Sequence, residues 1–199
     1  MPPGGDPVPL PAAGSADTLL AWRDALDAGC LEVHRPGCTT ITLSPRSPAG
    51  TFTPAQAWRL HRAVVDRLRT LLVPERERRT YRTPWGPVTV LAVPVEPHRA
   101  KTGCLRLEER DAVGELTDAD VVLPVQLRRW ELGLPPRPCL VCDAPAKRCI
   151  ALRRHSWQSV VAVARLRHAR AFDGPPDPAP PLPADAPTPC QAAIRQEPS

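Results

Sequence analysis

Two aspartates stand two positions apart in an apolar run, Asp118 and Asp120 within Gly114-Glu115-Leu116-Thr117-Asp118-Ala119-Asp120-Val121-Val122-Leu123. On a strand, residues i and i+2 face the same way, so both carboxylates would project together. Carboxylates side by side repel, and such a pair stays ionised at neutral pH when a cation or an arginine lies between them. Hard oxygen ligands of this kind suit Mg²⁺ bridged to a substrate phosphate, the arrangement used in nucleotidyl transfer. The alternative is a polar strand edge or turn with two solvated aspartates, since Asp-x-Asp alone is common.

A second group of chemically capable residues follows. Cys139, Cys142, Cys149 and His155 form a Cys-x2-Cys knuckle, a third cysteine and a histidine, four ligands of the types tetrahedral zinc prefers. A closed set of four would be structural and would tie the chain between a strand and the last helix. Three other readings stay open: ordinary small buried thiols, a redox pair, and a His155 that only leads into a helix.

These groups need a scaffold, and the chain of 199 residues has room for one core. Proline is the outlier, 28 residues where about 5% would be usual. Five prolines lie in residues 1–14 and nine in 174–199. The expectation is therefore a single domain over 15–173, with 139–155 as its Cys/His segment, between two Pro-rich disordered tails, 1–14 and 174–199.

The elements that must position the site can be read from periodicity. Asp17 can cap a helix bearing Leu19, Leu20, Trp22 and Leu26, and Thr39 to Ser44 alternates as a short strand. Thr53, Pro54 and Gln56 supply an N-cap, a first-turn proline and a capping-box partner for a long amphipathic helix ending before Pro74. Pro87 to Val95 reads as a strand, with Pro94 making its far end an edge or an exit. Residues 98–110 are ambiguous, because Gly103 weakens a helix there. A strand over Leu116 to Leu123 and a helix over Ser156 to Ala171, with Trp157, Val160, Val161, Ala164 and Arg167 on one face, complete the pattern. Such alternation predicts an α+β or α/β fold, a small mixed sheet with flanking helices.

Lysine and arginine number 26 against 21 carboxylates, and nearly all the positive charge is arginine, which suits anionic ligands or acidic partners. No run of 18 apolar residues suggests a membrane span, and the first 20 residues do not resemble a secretory signal. Clustered cysteines without an export signal point to a cytoplasmic protein.

The ordered motifs resemble the citrate lyase holo-acyl-carrier-protein synthase family, also called apo-citrate lyase phosphoribosyl-dephospho-CoA transferase. Gly114, Asp118, Asp120 and Val121 fall on its first motif. Leu132, Gly133, Pro135, Arg137, Cys139, Leu140, Cys142, Ala146, Cys149, His155 and Ser156 fall on its second. Upstream the likeness is fainter: the family's Gly-containing loop is altered to Ser44-Pro45-Arg46-Ser47-Pro48-Ala49-Gly50, and Glu115 stands where the family usually has arginine.

The resemblance implies a nucleotidyltransferase-like fold and a transferase. It would move the 2′-(5″-phosphoribosyl)-3′-dephospho-CoA group from its triphosphate precursor (triphosphoribosyl-dephospho-CoA) to a serine of the apo acyl-carrier subunit of citrate lyase, releasing diphosphate. Asp118 and Asp120 would hold Mg²⁺, with Gly114, Arg137 and Arg153 as substrate-binding candidates. The run Arg76, Arg78, Arg79 and Arg82 would serve phosphates, an acidic carrier surface, or solvent alone. Two alternatives are a diverged relative with an altered substrate or no activity, suggested by Glu115 and the changed loop, and a non-enzymatic zinc-binding interaction module. Against a nucleic-acid partner, aromatic residues make up only 4% and the arginines are scattered among carboxylates.

Overall fold

The computed structural model describes residues 8–9, 16–83 and 85–174, with side chains from residue 20 onward. Its sheet has the order β1-β3-β4-β2-β5. Strands β2 (Thr39–Pro45), β3 (Glu77–Thr83), β4 (Gly86–Val93) and β5 (Thr117–Leu123) pair antiparallel, and β1 (Val8–Pro9) adds a two-residue parallel bridge to β3. The sheet is thus mixed only through β1, whose residues fall in the segment expected to be a tail. Most of that segment, and residues 175–199, lie outside the described residues.

Helices α1 (Ala16–Val33), α2 (Pro54–Leu71), α3 (Pro97–Glu109), α4 (Ala112–Glu115), α5 (Ala146–Ala151) and α6 (Trp157–Phe172) surround the sheet. The start of α2 follows the sequence expectation. Thr53 accepts a hydrogen bond from the Gln56 amide, the Gln56 side-chain oxygen accepts one from the Thr53 amide, and Pro54 needs no donor at its position. Leu60, Val64, Val65 and Leu68 of α2 and Ala100, Cys104 and Leu107 of α3 pack with Ile41, Leu43, Leu91, Ala119 and Val121 in the larger apolar layer. On the other side of the sheet, Cys30 and Val33 of α1 cover Tyr81, Val90 and Ala92.

Four elements change the sequence expectation or decide between its alternatives. The ambiguous 98–110 stretch is α3, and a Cβ at Gly103 would stand 2.5 Å from the Leu72 side chain, so the small residue lets α3 close on α2. The arginine run became β3, a strand whose tyrosine alone is buried. β4 is central in the sheet, so Pro94 marks an exit and not an edge. In α6, Val160 and Ala164 face the core as expected and His168 joins them, but Trp157 is exposed.

Candidate functional site

β5 is the last strand of the sheet order, and the site grows from how its open side is satisfied. The Ala119 amide donates to Glu108 Oε1 at 2.8 Å, and Lys101 Nζ donates to the Ala119 carbonyl at 3.2 Å. Lys101 and Glu108 stand seven residues apart, two turns of α3, so they share the side of the helix that meets the strand. An edge strand left open would carry unpaired backbone groups, and these two buried side chains close it at Ala119. Val121 continues the closure by bridging to Leu127.

Because side chains alternate, burying Ala119 and Val121 turns Asp118 and Asp120 to the opposite face, opposite Ser44 and Thr42 of β2. Along that face Val122 packs against the α1 layer, while Asp120 and Asp118 remain 59% and 46% exposed. Each aspartate has a cation. Lys101 Nζ lies 3.2 Å from Asp120 Oδ1, and Arg137 donates to Asp118 Oδ1. Arg137 also reaches Glu108 at 3.4 Å and the Gly114 carbonyl at 3.1 Å. The expected face-sharing of the two carboxylates is therefore present, with Arg137 and Lys101 beside them.

Electrostatics around this pair pull in opposite directions. Loss of surrounding water raises the Asp118 pKa above its ordinary value, Arg137 opposes the rise, and the Asp120 charge adds to it. Burial likewise raises Glu108 against the pull of Arg137. Arg46, in the loop after β2, has its pKa lowered by burial and by the adjacent Arg137. Its guanidinium donates to the carbonyls of Pro138 and Glu115, and its amide to the Leu116 carbonyl at 2.8 Å. Arg46 thus brings a charge to the site that is spent on carbonyls and not on a carboxylate.

Glycine at 114 has a packing reason. A Cβ there would stand 1.9 Å from the Leu107 carbonyl oxygen, so only glycine lets α4 lie against the end of α3. Asp111 accepts from the Val113 and Gly114 amides and pairs with Arg67 of α2 at 2.5 Å, which fixes the turn before β5. Glu115 is turned to Arg167 of α6 at 2.8 Å, so its carboxylate is neutralised away from the aspartate pair.

The Cys/His segment brings its four members together. The ligand atoms of Cys139, Cys142, Cys149 and His155 all lie within 4.8 Å of one another. Cys142 Sγ is 3.6 Å from Cys149 Sγ and 3.3 Å from His155 Nε2. Tetrahedral zinc with Zn–S of about 2.3 Å and Zn–N of about 2.0 Å would hold sulfurs about 3.8 Å apart and sulfur and nitrogen about 3.5 Å apart. The donor set and its spacing fit such an ion. The Val141 amide donates to Cys139 Sγ at 3.4 Å. Burial opposes ionisation of Cys139, yet the amides of Val141 and Cys142 together with the thiols of Cys149 and Cys142 bring it below its usual pKa, while burial and the neighbouring sulfurs push Cys149 up to about 11.

Other expected site residues stand elsewhere. Arg153 sits in the exposed turn after α5 with a backbone φ of 46°, and it makes no contact with the aspartate network among the described hydrogen bonds. Arg78, Arg79 and Arg82 lie on β3, three strands from β5 and so about 14 Å away across the sheet. There Arg78 and Arg79 pair with Glu75 and Glu32, and Arg82 lies over the Trp58 ring. The members that sequence reasoning missed are Lys101, Glu108, Arg46 and Arg129. Arg129 donates to the Pro135 carbonyl at 3.0 Å and pairs with Glu109 at 2.5 Å. The available signal was the 100/104/107 apolar stripe, which makes Lys101 and Glu108 the charged neighbours of a buried helix face.

Comparison with known proteins bears on this arrangement. A family described as apo-citrate lyase phosphoribosyl-dephospho-CoA transferase matches residues 22–168. A probable apo-citrate lyase phosphoribosyl-dephospho-CoA transferase of Streptococcus pyogenes serotype M18 is 36% identical over 75 residues, 35% of this chain and 39% of that protein. The apo-citrate lyase phosphoribosyl-dephospho-CoA transferase of Escherichia coli O139:H28 is 33% identical over 72 residues, with the same two shares. Protein CitXG of Leuconostoc mesenteroides subsp. cremoris is 42% identical over 66 residues, 28% of this chain and 14% of that protein. These aligned stretches thus span well under half the length of each relative.

Proposed function

Because this chain belongs to the apo-citrate lyase phosphoribosyl-dephospho-CoA transferase family, we propose that it transfers the 2′-(5″-phosphoribosyl)-3′-dephospho-CoA group. The donor is triphosphoribosyl-dephospho-CoA and the acceptor a serine of the apo acyl-carrier subunit of citrate lyase. The serine oxygen forms a bond to the α-phosphorus of the precursor, the bond from that phosphorus to the bridging oxygen breaks, and diphosphate leaves. The serine proton passes to solvent or to a carboxylate of the site. This is nucleotidyl-type transfer in the domain 15–173, and the free, clustered thiols suit a cytoplasmic setting.

The observation that carries the reading is the pairing of Asp118 and Asp120 with Arg137 and Lys101 on an accessible strand face. A triphosphate needs both signs of charge managed together. Arg137 and Arg46 provide guanidiniums for phosphate oxygens, and Arg46 is engaged only with carbonyls. Asp118 and Asp120 are the oxygens that would hold Mg²⁺, which when bound supplies charge neutralisation at the phosphates. Lys101 and Glu108 fix the strand beneath them. Zinc at Cys139, Cys142, Cys149 and His155 would be structural, all four positions being filled by protein. The Glu115–Arg167 pair supports an active protein over a diverged one, since it keeps that carboxylate from adding to the aspartates.

Purified protein, Mg²⁺, the triphosphate precursor and apo-carrier should give a carrier heavier by the prosthetic group. Asp118→Asn and Asp120→Asn should each lower the rate about 10³-fold while remaining folded by circular dichroism. Full activity in both folded variants would remove the carboxylates from the mechanism.

A further inference from the structure

The charge of the chain is unevenly placed. Residues 144–172 contain seven of its 26 lysines and arginines and none of its 21 carboxylates, so the rest of the chain is net −2 and the positive excess belongs to this stretch. The cations are scattered among carboxylates over the chain as a whole, but not here. Arg165 and Arg167 face protein partners, the Thr51 carbonyl and Glu115. Lys147, Arg148, Arg153 and Arg154 are exposed, with no ion pair among the described residues.

These four surround α5 and the turn after it, and two aliphatic side chains stand among them. Ile150 is 75% exposed and Leu152 64%. A surface holding water-exposed aliphatics between unpaired cations is costly to leave uncovered and matches a partner with the reverse pattern. The six-residue helix is too short to be stable by itself. Its inner side is anchored by Cys149 in the Cys/His cluster, while its start is tied to the site by the Ala146 amide donating to the Arg137 carbonyl at 2.9 Å. One side of α5 is thus fixed, and the other is free to recognise.

We propose that the outward face of α5 and the following turn dock an acidic, amphipathic surface of the acceptor protein, carboxylates meeting Lys147, Arg148 and Arg154 and apolar side chains meeting Ile150 and Leu152. This rests on the transfer reading for the identity of the acceptor. The charge pattern favours protein over nucleic acid, because a phosphate backbone gains nothing from exposed aliphatic side chains between its cationic contacts.

The test uses the full chain with recombinant apo acyl-carrier subunit of citrate lyase. The triple variant Lys147→Glu/Arg148→Glu/Arg154→Glu should raise KM for the carrier about tenfold and leave KM for the triphosphate precursor unchanged. Ile150→Ser should raise the carrier KM about threefold, and it keeps the test open should the triple variant fail to fold. A carrier KM within error of wild type in the folded variants would overturn the surface. Biolayer interferometry without precursor reads docking alone. Wild-type protein that binds the carrier in a charge-dependent way without modifying it would sink the transfer reading and keep the surface. Modification by wild type and the folded triple variant with equal carrier KM would do the reverse. Loss in that variant of binding to a single-stranded RNA oligonucleotide, with carrier KM unmoved, would also overturn the proposal.

Discussion

Asp118, Asp120, Lys101 and Glu108 stand on β5 and α3, whose inner sides join one continuous apolar layer, while the arginine that meets Asp118 and Glu108 comes from a very different segment. Between 129 and 156 the buried side chains are Leu140 and Cys149, and Trp130, Leu134, Ile150 and Leu152 are exposed. Two buried side chains, each worth about 1.5–3 kcal/mol, cannot offset the ordering of so long a segment at about 1–2 kcal/mol per residue. The carboxylate half of the site is therefore held by packing, and the arginine half by directional contacts and the Cys/His cluster. The difference implies that damage to one half spreads through the domain and damage to the other stays local.

The strongest way to break that contrast is Gly114→Ala. The new methyl would overlap the Leu107 carbonyl at 1.9 Å, and the obstruction is backbone, which cannot rotate away as a side chain can. The expected loss is about 4 kcal/mol, seen as a fall in Tm of about 10 °C with near-ultraviolet signal lost throughout. A loss below about 1 kcal/mol would show that α3 and α4 can separate and that the packed half is softer than its burial suggests.

Cys142→Ser is the matching cut on the other side. Cys142 touches both Cys149 and His155, so its loss should abolish retention of the zinc proposed for this cluster. Metal analysis should fall from about one ion per chain to near none, limited proteolysis should then cut within 137–155, and the Tm of the remaining domain should change by less than about 3 °C. The transfer rate should drop about 10- to 100-fold as Arg137 loses its anchored neighbour. Cooperative unfolding of the whole protein on metal loss would erase the distinction between the halves.

The same contrast explains what was legible in the sequence alone. The capping box at Thr53, the alternation of Thr39–Pro45 and the i, i+2 placement of Asp118 and Asp120 are local signals, and each has its local cause in the structure. The Cys/His cluster was legible because residue types and spacings are themselves the signal. Lys101, Glu108 and Arg46 were not, because their roles arise only when α3 closes the side of β5 and the loop after β2 meets Pro138. β3 was hidden for a related reason. Its sequence Glu-Arg-Arg-Thr-Tyr-Arg-Thr has little apolar alternation, and it becomes a strand by pairing with β4. Arg153 was assigned by nearness to a motif, but the turn after α5 points it to solvent.

A smaller effect sharpens the packed half by pH. His61 on α2 meets Thr89 of β4 at 3.0 Å, and Thr89 meets Thr80 of β3 at 2.7 Å. Burial, aided by Arg78, lowers the His61 pKa to about 4. In the unfolded chain the ring has a pKa of about 6.5, so as pH falls the unfolded state takes up the proton first. His61 therefore contributes stability that is fully present above about pH 6.5 and is lost as pH falls toward 4. The expected loss between pH 7 and pH 5 is about 1–2 kcal/mol, reduced from the full linkage value because water partly reaches the ring. Urea unfolding at the two pH values measures it, and His61→Gln should flatten the difference. Equal pH dependence in wild type and variant would place the acid sensitivity outside the α2–β4 contact. Monitoring zinc release in the same titration separates any loss at the Cys/His cluster from this response of the core.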